Sequence, residues 1–154
     1  CVTIACVIPI GLKSKRVALD NYQGSNPQDL RVVTSSLSYE ELYRTAYSLV
    51  LHKHGELLYN GVKNTTVELL QPIAERIVRC SDEDLLKKVN EIWKQEKLCI
   101  VMIKDILMYM DRNFVPKMKL PSMEQLQTSQ FKNFVILNHQ IKQKLIAKLL
   151  SEIA

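Results

Sequence analysis

The chain has 154 residues, 47% hydrophobic and 24% charged, proportions that suit one globular domain with a real core. Four glycines and five prolines are too few for a many-turned β architecture. The net charge of +5 is scattered along the sequence, so it identifies no acidic partner.

Residues 1–36 differ in character from the rest of the chain. Pro9, Gly11 and Gly24 interrupt them, and no window holds a helical apolar period for more than two turns. We therefore expect an irregular or disordered N-terminal segment. Because the chain begins with Cys1, we also expect a fragment or an altered amino end.

The first helix is marked by local chemistry. Ser38 followed by Glu41 fits a capping box, in which each side chain satisfies a backbone donor of the first turn. The box predicts a helix that begins at Tyr39. Gly55, which follows a run of polar residues, predicts the end of that helix.

Three further helices are predicted before residue 116. One spans residues 56–79, and Pro72 should kink or split it because proline removes a backbone donor. Ser81 with Asp84 fits a second capping box that opens another helix. The apolar stretch 98–115 predicts a helix close to the centre of the domain.

The C-terminal part is also predicted to be helical. Pro116 and Pro121 mark a connector, and Ser122 with Gln125 caps a segment that reaches about Leu137. One apolar stripe predicts a final helix: Ile141, Leu145, Leu149 and Ile153. The chain as a whole is therefore predicted to be all-α, a bundle of four to six helices.

The helix after Ser38 carries more apolar and aromatic surface than one buried face requires. At about 100° per residue, its apolar and aromatic side chains cover an arc of about 200°, whereas a core-facing stripe needs about 100°. We expect one side to pack inward, namely Leu42, Ala46 and Leu49. The other side carries Tyr39, Tyr43 and Tyr47. Burial in the same domain and docking of a partner both remain open for these tyrosines.

The stretch 98–115 organises its few polar residues in a similar way. Asp105 and Arg112 share one line along the predicted helix, and Tyr109 lies next to it. Either these residues form a simple solvated edge, or they extend the tyrosine side of the first helix.

Two stretches together resemble a known family. LSYEELYRTAYSLVLHKHGELLYNG, residues 37–61, and IKDILMYMDRNFV, residues 103–115, resemble the first repeat of the cullins, most of all the members that bind BTB-domain adaptors. The resemblance assigns residues 37–115 to helices two to five of that repeat. It assigns residues 116–154 to a connector and the start of the second repeat, where IKQKLIAKLLSEIA resembles its opening.

The resemblance implies a non-catalytic scaffold of a cullin–RING ubiquitin ligase, acting in ubiquitin-dependent protein breakdown in the cytoplasm or nucleus. The first cullin repeat binds the substrate adaptor through its second and fifth helices. The positions that match the family's adaptor contacts are Leu37, Tyr39, Glu40, Tyr43, Tyr47, Tyr109 and Arg112. Tyr39 stands where phenylalanine is common, which keeps the ring and adds a hydroxyl.

The chain also departs from the family pattern. Cullins carry a further helix with an Ile-Trp-x-x-Leu pattern before the capping box, and nothing in residues 1–36 matches it. The family's RING-subunit site and NEDD8-accepting lysine are not recognisable in this chain. Two alternatives to an adaptor-binding scaffold therefore stay open: a truncated, partly unfolded fragment without its own function, or a competitor of a full-length cullin.

Other classes of function find little support in the sequence. His52 and His54 point in opposite directions on a helix, so we expect no metal site, and we expect no cofactor or catalytic residue. Lys142, Lys144 and Lys148 lack interleaved aromatic residues, which argues against nucleic-acid binding. No stretch is long and apolar enough to predict a membrane span.

Overall fold

The computed structural model describes residues 39–154, and every regular element in that range is helical. The predictions for residues 1–36, the cap at Ser38 and the adaptor contact assigned to Leu37 lie outside the described residues. Within them, the predicted all-α class is confirmed. Six α-helices lie within the described residues: α1 Tyr39–Leu51, α2 Gly55–Val78, α3 Leu85–Ile106, α4 Met108–Asn113, α5 Met123–Phe131 and α6 His139–Ile153. A π-helical turn, Lys132–Ile136, continues α5.

The turn between α1 and α2 differs from the prediction that Gly55 ends the first helix. The helix ends at Leu51, and the left-handed residue after it is Lys53, at φ 66°. The amide of His54 donates to the carbonyl of Leu49 at 2.8 Å, which closes the end of α1. Gly55 is instead the first residue of α2.

The requirement for glycine at position 55 comes from a tertiary contact. A Cβ atom placed on Gly55 would lie 2.6 Å from Cδ2 of Phe114, closer than any ordinary contact. The start of α2 can therefore approach the segment after α4 only because Gly55 has no side chain.

Pro72 was predicted to kink or split its helix, and the predicted split is wrong. The helix α2 runs from Gly55 to Val78 without interruption. Pro72 itself is exposed, while Leu70 and Ala74 on either side of it are buried in the core. Packing of these neighbours holds the helix through the proline, so tertiary burial overrides the local penalty.

Helix α3 begins later and extends further than the sequence predicted. It begins at Leu85, and the hydroxyl of Ser81 donates to Asp84 Oδ2 at 3.2 Å instead of capping a backbone amide. The helix then continues unbroken to Ile106. The predicted helix over 98–115 is therefore the end of α3 followed, after Leu107, by the short helix α4.

The capping box at the start of α5 is present as predicted. The amide of Gln125 donates to Ser122 Oγ at 3.2 Å, and the amide of Ser122 donates to Gln125 Oε1 at 3.1 Å. Both bonds satisfy donors that a helix start would otherwise leave unpaired.

The helices enclose two hydrophobic clusters. The first lies between α1, α2, α3, α4 and α5 and is centred on Leu58, Ile103 and Met110. The second lies between α2, α3, α5, the π-helical turn and α6 and includes Ile77, Leu85 and Phe131. No helix within residues 39–154 is both long and apolar enough to cross a membrane.

A buried polar layer lies between the two clusters. Nε2 of Gln127 donates to Thr66 Oγ1 at 3.0 Å, and the Thr66 hydroxyl also contacts the carbonyl of Val62 at 2.8 Å. Nε2 of Gln130 donates to the carbonyl of Lys63 at 2.9 Å. The bonds made by Gln127 and Gln130 connect α2 to α5 and fix the relative position of the two helices, because a slip would leave buried polar groups unpaired.

Candidate protein-docking site

Helix α1 has an inward side and an accessible side, as its periodicity predicted. Leu42 and Ala46 are buried, and Leu49 packs against the first hydrophobic cluster. The tyrosines on the other side keep contact with solvent. Tyr39 is 48% exposed, Tyr47 is 38% exposed and Tyr43 is half-buried. The described part of the chain therefore does not enclose these rings in its own core.

Three tyrosines from two helices form a continuous row. The rings of Tyr43 and Tyr47 are stacked, with centroids 6.4 Å apart and an angle of 28° between their planes. Tyr109 of α4 meets Tyr47 with centroids 4.3 Å apart and planes tilted by 52°. We call Tyr43, Tyr47 and Tyr109 the aromatic row. Because each ring contacts the next, the rings are held in place before any partner arrives.

Tyr39 extends this face towards α3. Partial burial raises the pKa of the Tyr39 hydroxyl, and the nearby Asp105 carboxylate and Tyr43 raise it further. The Tyr39 phenol is therefore neutral at physiological pH and can donate a hydrogen bond. The sequence placed Asp105 on a line with Arg112 but did not assign it to the site, and its proximity to Tyr39 appears only in the folded chain.

The charged residues of the predicted site lie at its edge. Glu40 forms an ion pair with Arg44 one turn along α1, and both side chains are largely exposed. Such a pair contributes little to stability, so Glu40 remains accessible to a partner's basic group. Arg112 is exposed on α4, three residues after Tyr109.

The face thus combines aromatic rings with opposite charges at its rim. Such a surface suits protein docking, because rings supply contact area and rim charges select the partner. Of the predicted site residues, the structure brings Tyr43, Tyr47 and Tyr109 into ring contact. It places the other predicted residues that it describes on the same two helices, namely Tyr39, Glu40 and Arg112.

The histidines that follow α1 and the grooves between helices offer little support for other kinds of site. His52 Nδ1 lies 2.7 Å from the carbonyl of Ser48, one turn earlier on α1. Among the residues described, no group of three His, Cys, Asp or Glu side chains is arranged to hold a metal ion. A groove of about 400 Å³ lies between α3 and α5, lined mainly by apolar side chains that include Val89, Trp93 and Phe131.

The helices, the two-cluster core and the accessible face define an all-α domain of the solenoid type. A family model described as the cullin alpha solenoid domain matches residues 28–154, and the chain belongs to the cullin family.

The chain is similar to several cullin-3 proteins. It is 43% identical to cullin-3 of Dictyostelium discoideum over 117 residues, which cover 76% of this chain and 15% of that protein. It is 49% identical to cullin-3 of Caenorhabditis elegans over 82 residues, covering 53% of this chain and 11% of that protein. It is 37% identical to cullin-3B of Arabidopsis thaliana over 116 residues, covering 75% and 16%. The chain therefore spans less than a fifth of the length of these relatives.

Proposed function

We propose that this chain forms the adaptor-binding part of a cullin scaffold in a ubiquitin ligase and that it docks BTB-domain adaptors. The contact residues in this proposal are Leu37, Tyr39, Glu40, Tyr43, Tyr47, Tyr109 and Arg112. The observation that carries it is the accessible ring of Tyr47, which contacts both Tyr43 and Tyr109 on one surface.

The physical argument concerns the entropy of binding. Ordering a side chain at an interface costs free energy, and the packed rings of the aromatic row have already lost most of that freedom. Tyrosine also presents a large apolar area with a hydroxyl that tolerates water before the partner binds. Residues of this kind, near the centre of an interface, carry most of the binding energy.

The proposed role is positional and not catalytic. An adaptor bound to this face would be held in place while other parts of a longer scaffold carry the ubiquitin-transfer machinery. Such a role belongs to the cytoplasm or nucleus, where ubiquitin ligases act. Fusing the chain to a fluorescent protein and finding it only in a secretory compartment would contradict that location.

The test is a binding titration with purified BTB domains. We expect Tyr43→Ala and Tyr47→Ala each to weaken binding by about 1–3 kcal/mol, or roughly 5- to 150-fold in Kd. Far-ultraviolet circular dichroism should stay unchanged, because these rings lie outside the buried clusters. Leu149→Ala is a matched control, since Leu149 is similarly exposed but lies on α6.

Two results would contradict the proposal. If the wild-type protein binds no BTB domain, the proposed function is wrong. If both tyrosine variants lose helical structure, the rings are needed for folding and their role in docking is not supported.

A further inference from the structure

Helix α4 carries two of the proposed contact residues, yet it is only six residues long. An isolated helix of that length is unstable in water, because nucleating the helix costs more free energy than the hydrogen bonds of one or two turns recover. Something outside α4 must therefore hold Tyr109 against Tyr47. Inward burial of Met110 supplies one anchor, and the side of α4 that faces the start of α5 supplies another.

The second anchor is a hydrogen bond from α5 to Asp111. The amide of Met123 donates to Asp111 Oδ1 at 2.8 Å. Met123 is the first residue of α5, so its amide has no acceptor within its own helix. A carboxylate is a strong acceptor there, because the start of a helix carries partial positive charge.

A further hydrogen bond, made by Tyr59, holds the start of α5 in place beside Asp111. Tyr59 of α2 donates its hydroxyl to the carbonyl of Pro121 at 3.0 Å, just before α5. Burial raises the pKa of Tyr59, and the Asp111 carboxylate raises it further. The start of α5 is thus held by Tyr59 and connected to α4 by Asp111.

We propose that Asp111 is a positioning residue for the docking face: its bond to the Met123 amide fixes α4 so that the Tyr109 ring contacts Tyr47. The ring contact stands on the geometry alone, while its effect on adaptor affinity rests on the proposed function. Asp111 is two residues from Tyr109 and adjacent to Arg112, so movement of α4 would displace both contact residues.

A set of three variants separates positioning from general stability. Asp111→Ala removes the acceptor, and Asp111→Asn keeps an oxygen that can accept from Met123. Gln125→Ala is the matched control, because it removes a different bond at the same end of α5, from the Ser122 amide to Gln125 Oε1. Each variant is measured by thermal melting, by the ring-to-ring nuclear Overhauser effect between Tyr47 and Tyr109, and by titration with a BTB domain.

We expect Asp111→Ala to weaken the nuclear Overhauser effect between the rings of Tyr47 and Tyr109 and to lower adaptor affinity about tenfold. Asp111→Asn should restore both. Gln125→Ala should lower the melting temperature and leave the ring contact and affinity unchanged.

The inference is overturned if Asp111→Ala retains the ring contact, or if Gln125→Ala reduces the ring contact as much as Asp111→Ala does. Failure of the proposed function is separate: wild-type protein would bind no BTB domain, while the ring contact would still respond to Asp111→Ala. Should Asp111→Ala unfold, Asp111→Glu replaces it. The extra methylene displaces the carboxylate, and an unchanged ring contact in that variant would equally overturn the inference.

Discussion

Gly55 shows how a single residue connects the chain turn to the docking face. It allows the start of α2 to approach Phe114, which directly follows α4. The position of the segment that carries Tyr109 therefore depends partly on the absence of a side chain at Gly55. The local pattern of the sequence predicts that this glycine ends α1, because the pattern does not contain the Phe114 contact.

We expect Gly55→Ala to destabilise the fold by about 1–2 kcal/mol, because the added methyl displaces the Phe114 ring. Helix propensity acts in the opposite direction, since alanine is favoured over glycine by about 1 kcal/mol. Urea unfolding of Gly55→Ala in the wild-type and Phe114→Ala backgrounds checks whether the Phe114 ring causes this loss. In a Phe114→Ala background the same change should become neutral or stabilising. An equal loss in both backgrounds would show that Phe114 is not responsible.

At the scale of elements, α2 is a long helix whose middle contains an unfavourable residue. Its continuity through Pro72 depends on buried neighbours in the second cluster, including Leu70, Ala74 and Ile77. Packing of buried residues likewise joins the two apolar stretches of α3 into one helix. Its buried residues include Leu85, Cys99 and Ile103. Element boundaries were thus less predictable than element type, because packing against other helices selects where each one ends.

Pro72→Ala should stabilise the protein by about 1–3 kcal/mol. The substitution returns an amide that can donate to the carbonyl of Glu68 and removes the ring's steric conflict with the preceding turn. Pro72 is exposed, so no core contact is lost. The expected signature is a higher urea midpoint with an unchanged m-value. A lower midpoint would mean that the proline-induced geometry of α2 is needed by the fold.

At the scale of the whole molecule, the aromatic row lies over the first hydrophobic cluster, and the polar layer separates that cluster from the second. Tyr47 shares α1 with Leu42 and Ala46, which belong to the first cluster. The docking face therefore depends on the first cluster directly. The polar layer affects it only through overall stability.

Thr66→Val tests this division of roles. It removes the hydroxyl that pairs with Gln127 and leaves that buried amide without its partner, at an expected cost of about 1–3 kcal/mol. Adaptor affinity at a temperature well below the melting point should stay unchanged. A change in affinity comparable to that of Tyr47→Ala would show that the polar layer and the docking face are coupled.

Several features of the site followed from the sequence. Helical periodicity separated Leu42 and Ala46 from the tyrosines, and the structure buries the first two and leaves the tyrosines accessible. The domain boundaries and the adaptor contacts remain predictions. The contact between Tyr47 and Tyr109 could not be derived from periodicity, because the two rings lie on different helices. The role of Asp111 was hidden for the same reason, since its partner amide belongs to α5.

The sequence by itself determined the all-α class, the cap of α5 and which side of α1 carries the tyrosines. These depend on local spacing and backbone chemistry, which act within a few residues. Only the tertiary structure decided that α2 runs through Pro72, that Gly55 accommodates Phe114 and that Tyr109 meets Tyr47. Those outcomes depend on packing between helices far apart along the chain, and the spacing of residues within one helix does not encode them.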